Sequence, residues 1–259
     1  MQEDISKYEK ANIAEESNYM KNTASGSGII EVRNVTKKFG QAVVLNDVSA
    51  SFEKGKIHGL IGRNGSGKTM LLKCICGLVP VTQGEIYIDG MQVGQGNETT
   101  KKLGVIIEEP GFLYNYSGYN NLKFLAKINK KISKEKIRQT IQLVGLDPDS
   151  KKHVGKYSLG MRQRLGLAQA IMEDPEILLL DEPMNGLDPE EVVRFRNLIL
   201  SRRESCTVIV SSHNLADLEK FCTHIAFIRD GKVTKVAPLK DLTADGASLE
   251  NAYLVQLQP

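Results

Sequence analysis

Eight consecutive residues, Gly62-Arg63-Asn64-Gly65-Ser66-Gly67-Lys68-Thr69, carry the pattern G-x-x-x-x-G-K-[ST] in full. Glycines let a backbone curl so that successive N–H groups point inward, and a helix beginning at Lys68 adds the positive end of its dipole. Lys68 can reach the β- and γ-phosphates of a nucleotide, and the Thr69 hydroxyl is an oxygen ligand suited to Mg2+. Further along, "EILLLDEP" (Glu176 to Pro183) is an apolar run closed by two carboxylates. Asp181 is placed to hold Mg2+ directly or through water, and Glu182 to orient an attacking water and take its proton. Alone, such a pair would pass for a strand-end cap. With the glycine loop upstream, it points to a nucleoside-triphosphate site.

These groups need elements to hold them. "VSASFEKGKIHGLIG" (Val48 to Gly62) reads as two strands broken at Lys54-Gly55, the second running straight into the glycine loop. A helix is expected from Lys68 to about Gly77. "IIEVRNVTKKFG" from Ile29 alternates like a strand, "GEIYIDG" (Gly84 to Gly90) is a short one, and "KKLGVIIEE" (Lys101 to Glu109) is another. From Tyr119 to Ala170 the period becomes helical, with Ile137, Ile141 and Val144 on one face and a further helix starting near Gly160. "EILLLDEP" has the continuous apolarity of a parallel strand buried on both faces, and "CTVIVSSH" (Cys206 to His213) repeats it. "HIAFIRDGKVTKV" (His224 to Val236) is a hairpin turning at Asp230-Gly231. Strands alternating with helices give an α/β core, with a mostly helical insertion between Gly111 and Pro175.

The totals narrow the partners. With 259 residues, 41% hydrophobic and 25% charged, the chain is an ordinary globular sequence. No stretch approaches the roughly 18 apolar residues of a membrane span. A net charge of +3 is too small to make nucleic acid the main ligand. Cys74, Cys76, Cys206 and Cys222 have no metal-ligand spacing and read as reduced core thiols. Residues 1–28 are polar, end in Gly/Ser and lack an apolar signal core, so they read as a flexible extension.

A second glycine turn separates the remaining classes of phosphate-loop protein. A GTPase would carry Asn-Lys-x-Asp, and the nearest string, Asn129-Lys130-Lys131-Ile132, lacks the aspartate. "YSLGMRQRLGLAQA" (Tyr157 to Ala170) places Ser158 and Gly160 at the start of an amphipathic helix, where hydroxyl, N–H groups and dipole form another anion site. The helical insertion keeps this site from the first one's γ-phosphate within one chain, whereas two chains packed head to tail bring the two together.

At this point Ile29 to Leu257 resembles the ATP-binding subunits of ABC transporters. Tyr157-Ser158-Leu159-Gly160-Met161 stands in the place of the family's Leu-Ser-Gly-Gly-Gln signature, keeping the serine and the second glycine. "ILLLDEP" is similar to the Walker B strand, "NGLDP" (Asn185 to Pro189) to the D-loop, and His213 in "SSHNL" to the switch histidine that contacts the γ-phosphate. Phe39 in "KKFG" stands where the family stacks an aromatic ring on adenine. The resemblance implies a P-loop ABC ATPase fold with a RecA-like core, an antiparallel β subdomain and a helical signature subdomain (about 111–175) within a domain spanning 29–259. It also implies ATP and Mg2+ as cofactors, Lys68, Glu182 and His213 as catalytic residues, a head-to-tail homodimer with two ATP at its interface, and a membrane permease that keeps the subunit on the cytoplasmic face of the membrane. The competing reading is a soluble ATPase of the same type acting on ribosomes or DNA. The lack of a second such domain or a heptad run stands against it.

Where the family usually shows a glutamine that reaches Mg2+, this chain has Glu108, followed by Glu109-Pro110-Gly111-Phe112. "IIEEPGF" is similar to the branch that exports bacitracin-like and lantibiotic peptides or confers immunity to them. An ionised carboxylate offers the metal a charged ligand but cannot donate a hydrogen bond to water. Glu109 is the alternative metal-facing residue. Next comes "GFLYNYSGY" (Gly111 to Tyr119), with Phe112, Tyr114, Tyr116 and Tyr119 close together in a chain holding seven Phe and eight Tyr. Such a cluster either packs the insertion on the core or anchors an interface, and in the family this region receives a helix from the permease. The closing "SLENAYLVQLQP" reads as a short amphipathic helix with no evident contact surface.

Overall fold

The computed structural model describes residues 28–94, 103–129 and 132–256, so the proposed extension lies outside the described residues except for Gly28. The four apolar residues before Asp181 form its centre: Ile177, Leu178, Leu179 and Leu180 are fully buried in β7 (Ile177–Asp181). Leu178 and Leu180 face one hydrophobic cluster, Ile177 and Leu179 the other, so both faces of the strand are covered.

β7 lies between β6 (Leu103–Ile106) and β8 (Thr207–Ser212), and the sheet continues through β3 (Ile57–Ile61) and β9 (His224–Arg229) to β10 (Lys232–Pro238). β6, β7, β8, β3 and β9 run parallel, and β10 closes the edge antiparallel. The Asp230-Gly231 turn has φ of 49° and 74°, as a two-residue hairpin of primed type requires. A second, antiparallel sheet has the order β2-β1-β4-β5, with β1 Gly28–Phe39, β2 Ala42–Glu53, β4 Gln83–Ile88 and β5 Met91–Gln92. Its apolar face meets Leu60, Ile209 and Ile228 of the parallel sheet, with α1 (Lys68–Ile75) packed in the same cluster through Leu71, Leu72 and Ile75.

β2 begins at Ala42, earlier than the periodicity from Val48 suggested. Its first half is largely exposed, and the pairing with β1 is broken by irregularities near Asn34 and Asp47, both at positive φ. The Asn34 amide donates to Asp47 Oδ1 at 3.0 Å and holds this kink together.

Between the glycine loop and β7, the insertion folds as α2 (Gly118–Asn129), α3 (Lys134–Leu143) and α4 (Leu159–Ile171). Ile137, Ile141 and Val144 are buried as their spacing predicts. α5 (Pro189–Ser201) starts with a capping box, Asp188 and Glu191 bonding each other's backbone N–H. After β8 come the one-turn helices α6 (Leu215–Leu218) and α7 (Leu239–Leu242), then α8 (Leu249–Gln256). α8 finds a contact surface: Tyr253 stacks on Phe227, ring centroids 6.0 Å apart, and Arg229 donates to the Gln256 carbonyl. The four thiols are unpaired, and burial pushes Cys74 up to about 11 and Cys206 up to about 12.

At the opposite end of β3 from the glycine loop, His58 is buried between Phe52 and His224. Its Nε2 lies 3.2 Å from the Glu53 carbonyl, and Nδ1 has no partner. Burial pushes its pKa from 6.5 down to about 3, so the folded protein keeps it neutral. The unfolded chain takes up a proton below 6.5. The stability contribution is therefore complete above that pH and declines as pH falls toward 3. His58→Phe keeps a ring in place and removes this linkage. In urea unfolding, its loss of stability between pH 7 and pH 5 is expected to be smaller than the parent's by on the order of 2 kcal/mol.

Candidate functional site

The C-terminal ends of β3, β7 and β8 converge, and the loops leaving them carry most of the residues that the sequence singles out. Gly62 follows β3, and a Cβ there would overlap the Ile228 carbonyl and Ser66 Oγ. Gly65 and Gly67 hold φ of 79° and 108°, open to glycine and strained for other residues. α1 starts at Lys68 with no side-chain cap on its first N–H groups, which leaves them for an anion. Arg63, Asn64, Gly65 and Ser66 line an open cavity of about 430 Å3 with Asp230 and Tyr253. The Lys68 ammonium is buried and donates to the carbonyls of Gly62 at 2.7 Å and Arg63 at 3.3 Å.

The carboxylates form a tighter cluster. Thr69 Oγ1 donates to Asp181 Oδ2 at 2.7 Å, and Ser211 Oγ donates to Asp181 Oδ1 at 2.6 Å. Ser211 Oγ also accepts the Glu182 N–H at 2.9 Å, so one hydroxyl positions both carboxylates. Glu182 sits at φ 46°, a left-handed conformation uphill for glutamate and common at functional sites. Its Oε2 is 2.9 Å from His213 Nδ1, and its Oε1 is buried without a hydrogen bond, 3.6 Å from the Lys68 ammonium. The fold thus brings together Lys68, Thr69, Asp181, Glu182 and His213.

Sequence reasoning missed Ser211. The signal available was register: Ser211 pairs with Asp181 across the parallel ladder, at the shared ends of β7 and β8.

Ser158 caps α4, its oxygen accepting the Met161 N–H at 3.2 Å. Gly160 is buried against α5 and the turn before it, where a Cβ would lie 2.8 Å from Glu191 Oε2 and 3.2 Å from the Gly186 carbonyl. Arg164, one turn along, pairs with Glu191 at 2.7 Å. The Ser158–Gly160 turn is therefore packed on Asn185–Pro189, and no hydrogen bond or ion pair among the described residues joins it to the glycine loop. Phe39 is exposed, with the Lys37 ammonium 4.6 Å from its ring centroid.

Glu108 stands at φ 60°, mostly exposed, and ion-pairs with Lys73 of α1 at 2.6 Å. Strand β6 stops at Ile106, short of both glutamates. The aromatic segment divides. Phe112 is buried in the core, and the half-buried Tyr119 packs against it. Leu113, Tyr114 and Tyr116 are exposed. The buried Asn121 side chain braces this loop, accepting the Leu113 N–H and donating to the carbonyls of Leu113 and Ser117.

Comparison with known proteins agrees with this geometry. The ABC transporter family model matches residues 45–185. The chain is 40% identical over 217 residues to the bacitracin transport ATP-binding protein BcrA of Enterococcus faecalis, covering 83% of this chain and 70% of that protein. It is 38% identical over 206 residues to the lantibiotic transport ATP-binding protein SrtF of Streptococcus pyogenes, covering 79% and 89%. Among solved structures, an ATP-binding subunit of an ABC transporter superimposes with a TM-score of 0.79 at 25% identity, covering 89% of this chain and 100% of that one. A dimeric ATP-binding cassette in a post-hydrolysis state, bound to ADP and Pi, shares the fold with a TM-score of 0.74 at 23% identity, covering 81% and 98%. The chain belongs to the ABC transporter family, as an ATP-binding subunit and ATPase similar to those of bacitracin and lantibiotic transport.

Proposed function

We propose that two copies of this chain pack head to tail around two ATP molecules, and that their closure drives a membrane permease exporting peptide antibiotics or other hydrophobic compounds. The observation that carries this reading is the hydroxyl and carboxylate cluster at the strand ends. Asp181 is gripped by Thr69 and Ser211, and beside it Glu182 holds one oxygen buried without a hydrogen bond and the other on His213.

Lys68 and the glycine-loop N–H groups bind the triphosphate, and Phe39 supplies a face for adenine. The hard oxygens of Thr69 and Asp181 fit Mg2+, with Glu108 completing the set once it leaves Lys73. Of the two adjacent glutamates, Glu108 is the one paired to the helix that carries Thr69. The metal, when bound, supplies charge neutralisation across the phosphates. Glu182 orients the attacking water and accepts its proton, steadied by His213, whose Nε2 is left for the γ-phosphate. Ser158 and Gly160 of the other copy close the site from the far side of the γ-phosphate.

No helix among the described residues is long and apolar enough to cross a membrane, so the link to the bilayer runs through the permease, at its cytoplasmic face. Leu113, Tyr114 and Tyr116 form the contact surface for it, on a loop kept in shape by Asn121. An ATPase acting on ribosomes or DNA is not favoured, because the relatives are named as transport proteins.

Glu182→Gln should retain ATP binding and lose at least about 100-fold in turnover, with ATP-loaded dimer accumulating in size-exclusion chromatography. Unchanged turnover removes Glu182 from its role. Tyr114→Ser combined with Tyr116→Ser should abolish co-purification with the permease while the isolated subunit still binds ATP. Co-purification at the parent level places the docking surface elsewhere.

A further inference from the structure

We infer that Lys73 is a positioning residue for the nucleotide site: it holds the Glu108 carboxylate one helical turn away from the metal position and releases it when the cation arrives. This rests on the reading of Glu108 as a metal ligand.

Three observations converge on it. Lys73 follows Thr69 by four residues on α1, so the two side chains are neighbours on one helix face, with Cβ atoms about 6 Å apart. Thr69 marks the metal position through its 2.7 Å bond to Asp181, while Lys73 carries the 2.6 Å bond to Glu108 Oε1. The carboxylate is therefore held on the same helix face, one turn short of the oxygens it would join. Glu108 also holds a left-handed φ of 60° without being glycine. That conformation persists only where surrounding interactions support it, and among the described residues Lys73 is its side-chain partner.

The magnitudes suit a release. The Glu108 side chain is 64% exposed and that of Lys73 is 22% exposed, so the carboxylate is mostly solvated, the lysine is partly buried, and the pair contributes modestly. A divalent ion already held by Thr69, Asp181 and phosphate oxygens offers a carboxylate more than one ammonium does. Without the metal, Glu108 would add a negative charge beside the triphosphate, and Lys73 cancels it. A glutamine at position 108 would have no charge to cancel, so the lysine matters because this chain uses glutamate there.

The test is the Mg2+ concentration that half-saturates binding of a fluorescent ATP analogue, measured at equilibrium in metal-buffered solution. It compares the parent, K73M, K73R, E108Q and the K73M/E108Q double variant, with circular dichroism to confirm folding. K73M should lower the midpoint about two- to fivefold, the range that a partly exposed pair can exert, and K73R should restore it. In the E108Q background, K73M should change the midpoint much less. No shift in K73M, or the same shift in both backgrounds, overturns the role of Lys73 and leaves Glu108 as a ligand. A midpoint unchanged by E108Q alone overturns the ligand reading, and this inference with it.

Discussion

Asp181 is the constraint around which the site is arranged. A carboxylate that is only 8% exposed at a strand end must have its oxygens satisfied, and here each receives a hydroxyl from a different element. Thr69 comes from the helix behind the glycine loop and Ser211 from the neighbouring strand. Hydrogen bonds to a charged acceptor contribute about 1.5–3 kcal/mol each, enough to hold the helix, β7 and β8 in one mutual position. Ser211 then reaches on to the Glu182 N–H, so the position of Glu182 follows from how Asp181 is held. Five parallel strands ending side by side make this possible, because their C-terminal loops share one crevice.

A second constraint is set by small residues. Gly160 lets the start of α4 press against Gly186 and Glu191, and Gly186 leaves room for the Leu159 side chain. The Arg164–Glu191 pair and the Asp188–Glu191 capping box lie in the same contact. The signature turn and the turn leading into α5 are consequently one packed unit. A displacement of α4 would therefore bear on the segment that follows Asp181 and Glu182.

What the sequence made legible was local. The glycine loop, the apolar β7 run and the Asp230-Gly231 hairpin are each read within about ten residues, where spacing and turn chemistry have a single solution. What depended on register or tertiary contact was not legible. Ser211 is an ordinary serine until β8 is laid beside β7. The first half of β2 carries little apolar signal because it is exposed and kinked. Phe112 sits among residues that face outward, and only the packing of α2 and α4 turns it inward. Glu108 drew notice by its type, while its pairing with Lys73 is set only by tertiary contact. α8 showed no partner until Phe227 was placed beneath Tyr253.

The hairpin between β9 and β10 has a mechanical effect. Its Gly231 N–H donates to the Ser66 carbonyl in the glycine loop, and its carbonyl accepts the Asn46 N–H from β2. A Cβ at Gly231 would collide with the Val44 carbonyl, so the three segments are in close backbone contact. Loop, parallel sheet and antiparallel sheet are stitched into a single stator. A shift of either sheet is therefore passed to the glycine loop through backbone hydrogen bonds alone.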